Sequence, residues 1–247
     1  MMSSPHLHGC RLVSDLAHRT LAPEIMDQPG LDPREHVRAL GALARINFMS
    51  RSAGILWPEV SLLARSQPGK PLRMLDVACG GGDVPIQLWR KARSQGVALE
   101  VRACDISPVA LEHARCRAHR LKAQVSFQKL DALRDPFPDD CDLITSSLFL
   151  HHLNDEQAVD LLRKMAGSAR RLVLVNDLRR SRAGLLLAHA VTRLVSRSPV
   201  VHFDGPQSVR AAFSLAEIRD LAQRAGLKSF SIRQRWPFRF LLIWPRD

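Results

Sequence analysis

The segment Met74-Leu75-Asp76-Val77-Ala78-Cys79-Gly80-Gly81-Gly82-Asp83 constrains this chain more than any other. An apolar run feeds directly into three consecutive glycines, and a helical pattern follows. Glycine lets the backbone approach a ligand with no Cβ in the way. The helix beyond it presents unpaired N–H groups to a carboxylate or phosphate. The segment predicts a strand, a ligand-holding loop and a helix in that order. A dinucleotide fingerprint fails here, because counting G-x-G-x-x-G from Gly80 puts Pro85 at the third glycine position.

The rest of the chain repeats the strand–helix alternation. Strand patterns cover residues 72–78, 99–104, 124–128, 142–146 and 171–176. Helices are expected over 83–94, from the cap-and-proline pair Ser107-Pro108, and from the cap Asn154 through Met165. This order predicts an α/β fold with a parallel sheet and helices on both faces. Near the end, Ser214-Leu215-Ala216-Glu217 is a capping box and Gly226 a helix stop. Two strand runs, 228–235 and 238–244, are separated only by Trp236-Pro237. That gap is too short for a crossover helix, so the two must pair antiparallel.

Before the core, Asp32-Pro33-Arg34-Glu35 predicts a helix start, with Asp32 as cap and Glu35 closing a capping box. Val37, Leu40, Leu43, Ala44 and Phe48 follow at helical spacing, and a second helix is expected over 53–65. The break at Gln67-Pro68-Gly69-Lys70-Pro71 divides residues 1–69, an irregular segment plus helical cap, from a core over 70–247. Residues 1–30 carry no secretory pattern, and no stretch is apolar and long enough to span a bilayer. The cysteines, Cys10, Cys79, Cys104, Cys116 and Cys141, form no C-x-x-C pair. Three of them sit at the ends of predicted strands, where buried thiols are expected, and a reducing cytoplasm without a zinc site or other metal is the plain expectation.

Residues 75–82 resemble the first motif of the Rossmann-like (class I) S-adenosylmethionine-dependent methyltransferases, acidic-x-G-x-G-x-G. Asp76, Gly80 and Gly82 match, and Ala78 stands where the first glycine is usual. The resemblance implies a seven-stranded, mostly parallel sheet ending in an antiparallel hairpin, with S-adenosyl-L-methionine as cofactor. It implies that the loop backs the cofactor's methionine portion. Asp105, followed by Ile106, would accept the ribose hydroxyls. Asp131, followed by Ala132, would meet the adenine amino group. Residues 141–153 resemble the fourth-strand motif facing the transferring methyl group, which brings in Ser147 and the pair His151-His152. Imidazole suits proton removal near neutral pH, so both histidines are candidate bases, with a purely positional role as the other reading.

Neither an (Asp/Asn)-Pro-Pro-aromatic cluster nor a Pro-Cys nucleophile is present, which weighs against enzymes that modify nucleic-acid bases. The wider pattern resembles a bacterial subgroup encoded beside type III polyketide synthases in secondary metabolism. This implies an O- or C-methyltransferase for a small apolar acceptor such as a polyketide-derived phenol or pyrone. A quinone-pathway enzyme, a non-catalytic partner in a biosynthetic complex and an RNA methyltransferase stay open. The net charge of +12 keeps RNA, anionic lipid or an acidic carrier in view, although a merely solvated surface explains scattered arginines equally well.

An insertion at about 178–213 is the most individual part. An apolar helix with Leu185, Leu186, Leu187, Ala190, Val191, Leu194 and Val195 is expected, and His202-Phe203-Asp204-Gly205-Pro206 then forms a loop. The insertion could be a lid over the site, a cover or dimer contact, or a membrane-facing helix helped by Arg179, Arg180, Arg182, Arg193 and Arg197.

Overall fold

The computed structural model describes residues 16–28, 30–67 and 69–246. Cys10 and the irregular reading of residues 1–15 lie outside them. Strands β1 (Leu72–Val77), β2 (Leu99–Asp105), β3 (Val125–Lys129), β4 (Leu143–Ser147) and β5 (Leu172–Leu178) pair in parallel. The terminal strands β6 (Ser231–Arg235) and β7 (Arg239–Pro245) form the antiparallel hairpin, and β7 runs antiparallel to β5. The seven strands lie in the order β3-β2-β1-β4-β5-β7-β6. Order reverses beside β1, and in open α/β sheets ligands bind at such a switch, outside the strands' carboxyl ends.

Helices α3 (Asp83–Ser94), α4 (Pro108–Arg120), α5 (Asp155–Ser168) and α8 (Leu215–Arg224) connect the strands. Side chains alternate across the sheet, so each face has its own core. Leu75, Val77, Ile144 and Phe240 pack against Leu161, Met165 and Ile218 on one side. Leu72, Met74, Leu143 and Leu241 pack against Leu56, Trp57 and Leu88 on the other. The latter face is covered by α3 and by α2 (Ser52–Arg65), so α2 is part of the main core. The preceding helix α1 (Pro33–Met49) is capped by Asp32, which accepts from the N–H groups of Arg34 and Glu35. Glu35 turns its carboxylate to Arg38 instead of back to the cap. The buried face of α1 runs through Ala39, Leu40, Ala42 and Ala44, leaving Val37 and Phe48 exposed.

The insertion consists of two packed helices, α6 (Arg182–Val195) and α7 (Pro199–Ala211). The expected loop His202-Phe203-Asp204-Gly205-Pro206 is corrected here: all five residues lie inside α7. Asp-Gly-Pro is turn chemistry locally, but tertiary contacts override it. At Gly205 a Cβ would meet Thr192 Cγ2 of α6 at 2.4 Å, so glycine permits the close crossing. The Asp204 carboxylate accepts from the N–H groups of Ile25 and Met26, at 2.8 and 3.1 Å. Among the described residues no helix is long and apolar enough to cross a membrane.

Candidate active site

The loop after β1 is held in three left-handed residues, Ala78 (φ 54°), Gly80 (φ 51°) and Gly82 (φ 70°). The Gly82 position admits no side chain, since a Cβ would lie 2.9 Å from both Ala114 Cβ and Phe127 Cε1. A Cβ at Gly80 would meet nothing closer than Leu40 Cδ2 at 4.0 Å, so the backbone there stays open to a ligand. Ala78 takes the left-handed conformation that the missing glycine would have taken without strain.

Asp105 sits where β2 ends, and its carboxylate holds the loop. Oδ2 accepts from Gly80 N–H at 2.8 Å and Oδ1 from Ser107 N–H at 2.9 Å. Ile106 beside it is 58% exposed. Leu130 N–H donates to the Asp105 carbonyl, which ties the turn after β3 to the same edge. Asp131 then folds its carboxylate over its own turn, accepting from Leu133 N–H at 2.9 Å and Arg134 N–H at 3.3 Å. Ala132 is buried in the core, and its carbonyl accepts from Lys164 Nζ at 2.8 Å. Asp76 lies beneath the loop, 1% exposed, and accepts from Thr145 Oγ1 at 2.5 Å. Burial pushes the Asp76 carboxyl up to about 7, with Asp83 and Asp105 adding repulsion and Thr145 opposing it.

A second group lies at the ends of β4 and β5. The 3-10 turn Leu150–His152 follows β4 and carries both histidines. His151 is buried, with Nδ1 at 2.6 Å from Asp177 Oδ1 and Nε2 at 3.7 Å from Glu24 Oε1. Burial alone would lower the His151 pKa, but Asp177 and Glu24 overturn that and raise it to about 10. The two carboxylates respond in kind. Burial works to raise both, yet the histidines pull Glu24 and Asp177 below the usual carboxylate range. His151 is thus held as an imidazolium between two carboxylates. The His152 ring lies beside it, tilted by 34° at 4.3 Å between ring centroids, with its side chain 23% exposed and Nε2 4.0 Å from Glu24 Oε2.

Three buried polar groups near these strand ends have no protein partner among the described residues. They are Ser147 Oγ, Asp83 Oδ2, and both side-chain polar atoms of Asn176. Buried polar groups are normally bonded, so such orphans point to a missing ligand or water. The groove of about 610 Å³ between α1 and α4 is lined by none of the predicted site residues, although its His113 borders the loop, 3.2 Å from where a Cβ on Gly81 would stand.

Glu24 arrives from outside the sheet. Arg19 donates to the carbonyls of Ala211, His151 and Leu153 and pairs with Asp155, while Gln207 bonds the carbonyl of Thr20. Ser208 Oγ bonds the Glu24 carboxylate itself. This strap of residues 16–28 lies against α7 and the histidine turn. Glu24-Ile25-Met26-Asp27 belongs to the pattern that resembles the bacterial subgroup, but no spacing gives Glu24 a site role. Asp177 did carry a signal: like Asp105 and Asp131, it is an acid at the end of a strand. The sequence offered no metal ligand set, yet Glu24, His151 and His152 bring three ligand atoms within 4.8 Å of one another and could hold an ion. The proton on His151 balances one of the two carboxylates that face it, Asp177 and Glu24.

The strand order and the antiparallel β7 define the fold of the class I methyltransferases. Residues 74–171 match the family described as a methyltransferase domain. The chain is 35% identical over 97 residues to the ubiquinone/menaquinone biosynthesis C-methyltransferase of Rhodopseudomonas palustris, covering 38% of this chain and 37% of that one. It is 30% identical over 158 residues to the ajmaline N-methyltransferase of Rauvolfia serpentina, covering 60% of this chain and 53% of that one. The chain thus spans between about a third and about half of these curated relatives. Human N-acetylserotonin methyltransferase, solved in complex with SAM, superposes with a TM-score of 0.62 at 18% identity, over 87% of this chain and 57% of that one.

Proposed function

We propose that this chain is an S-adenosylmethionine-dependent methyltransferase acting on an O or C atom of a small apolar acceptor. The observation that carries this reading is the Asp105 carboxylate. It closes the left-handed loop through Gly80 N–H at the sheet's switch point, inside the segment that matches a methyltransferase domain. When bound, S-adenosylmethionine supplies an electrophilic methyl carbon on a sulfonium sulfur. The residues present fit such a group: the open backbone at Gly80 and the unpartnered atoms of Asp83, Ser147 and Asn176 offer contacts that the protein leaves unfilled. Ala78, Gly80 and Gly82 would hold its methionine portion. Asp105 and Ile106 would hold the ribose, and Asp131 and Ala132 the adenine.

The histidine group serves the acceptor side. His151, charged and pinned between Asp177 and Glu24, orients the turn, its positive charge spent on those two carboxylates. Proton removal falls to His152, the more exposed imidazole, which Glu24 faces. An acceptor that arrives already ionised needs only alignment, and positioning alone supplies a large share of rate.

A relative named as a C-methyltransferase of ubiquinone and menaquinone biosynthesis supports this acceptor class. A quinol or a polyketide-derived phenol or pyrone offers the same chemistry, an ionisable hydroxyl on an apolar skeleton. The test is transfer of tritium-labelled methyl from the cofactor to a panel of demethylated naphthoquinols, alkyl phenols and pyrones. Organic-extractable label that disappears with His152→Asn only below the acceptor's own pKa is expected. Tight cofactor binding with no label on any member would contradict the acceptor class.

A further inference from the structure

The α6–α7 insertion exposes a face that the catalytic reading does not use. Residues 178–211 hold six arginines and a single acid, Asp204. That acid is 4% exposed and bonded to the strap, so no carboxylate reaches the surface of the insertion. The exposed residues of α6 are Arg182, Ala183, Leu186, Ala190, Arg193 and Leu194. At 3.6 residues per turn they fall within an arc of roughly 120°. Leu186 is 59% exposed and Leu194 85%, and Phe203 of α7 is 53% exposed. Arg197 stands exposed in the link between the helices.

An apolar stripe bordered by arginines and free of acid is the composition of a helix that lies in a membrane interface. A second copy of the chain is a poor occupant, because a two-fold contact would set arginine against arginine. Nucleic acid would answer the arginines but leave Leu186, Leu194 and Phe203 without partners. A surface with negative headgroups over an apolar interior answers both. We infer that the outer face of α6, with Phe203 of α7, docks this protein on anionic lipid bilayers. The inference rests on this face alone and stands apart from the cofactor site. Its consequence is local: α7 contacts the turn that carries His151 and His152, so docking places the acceptor side of the site beside the lipid.

The test uses the purified full chain and vesicles of phosphatidylcholine, with and without phosphatidylglycerol, in co-sedimentation. Wild type is expected to bind the anionic vesicles and leave phosphatidylcholine alone in low salt. Arg193→Ala with Arg197→Ala should weaken binding by about fivefold per arginine. Leu186→Ser with Leu194→Ser should weaken it by tenfold or more, and both residues are exposed enough to change without unfolding the chain. The control pair Arg90→Ala with Arg93→Ala, exposed on α3, should leave it unchanged. Three results would overturn the inference. These are no anionic-vesicle binding by folded wild type, an equal loss in the α3 control, or indifference to the leucine pair with RNA as the tighter ligand.

Discussion

At the residue scale, two positions under the glycine loop make separable predictions. Asp76 has a folded pKa of about 7 against an unpaired value of 3.8. The folded state therefore binds the extra proton, and this group costs stability as pH rises from about 4 through 7. Asp76→Asn keeps an acceptor for Thr145 and removes that cost. It should stabilise the fold by up to about 4 kcal/mol at pH 8 and by little near pH 4. Denaturant melts at both pH values check this, and an equal gain at each would refute it. Ala78 is the other position. Ala78→Gly relieves the left-handed penalty and adds unfolded-state entropy, for a net gain of about 1 kcal/mol read as a rise in Tm. The positions of Asp76, Gly80, Gly82, Asp105 and Asp131 around one edge of the sheet were legible because each sits at or just beyond a strand end that hydrophobic patterning locates. Ala132 was only half legible, since a core side chain follows directly on a loop acid.

At the element scale, the strap of residues 16–28 is what the sequence conceals. Its only regular structure is one 3-10 turn, Ile25–Asp27, and its fixed position comes mainly from side-chain bonds with the remote residues Ala211, Leu153, Asp204 and Ser208. Arg19→Ala removes bonds to three carbonyls and should cost about 2 kcal/mol or more. Faster amide exchange confined to 16–28 and the histidine turn would be its signature. The strap also senses pH through His151. Its pKa of about 10 exceeds the ordinary 6.5, so its contribution is complete below about 6.5 and lost as pH rises through 10. Glu24 and Asp177 are shifted down, so theirs is lost only in acid. Exchange protection of the strap should be greatest just below pH 6.5, decline steadily between 6.5 and about 10 and fall again in acid, and His151→Gln should abolish the alkaline limb. The α6–α7 pair was half legible for a related reason. The apolar pattern gave α6, but Gly205 and Pro206 read as a turn until the contact with Thr192 explained the glycine.

At the scale of the whole molecule, the alternating pattern carried most of the architecture. Five parallel strands and a terminal hairpin can be placed from residue spacing, because the central strands β1, β4 and β5 are near-continuous apolar runs buried on both faces, and the edge strands β3 and β6 are bounded by clear breaks. What spacing could not supply was the meeting of Glu24 with Asp177 across the chain, which only the closed fold creates. The central claim is that the loop after β1, held by Asp105, binds S-adenosylmethionine. Calorimetric titration of wild type beside Asp105→Ala, with S-adenosylmethionine and its demethylated product, tests it directly. Micromolar binding of both ligands by wild type, reduced at least a hundredfold in the variant while its fold is kept, is the expected result. No binding by well-folded wild type would contradict the claim and favour a chain that keeps the fold and serves as a partner without catalysis.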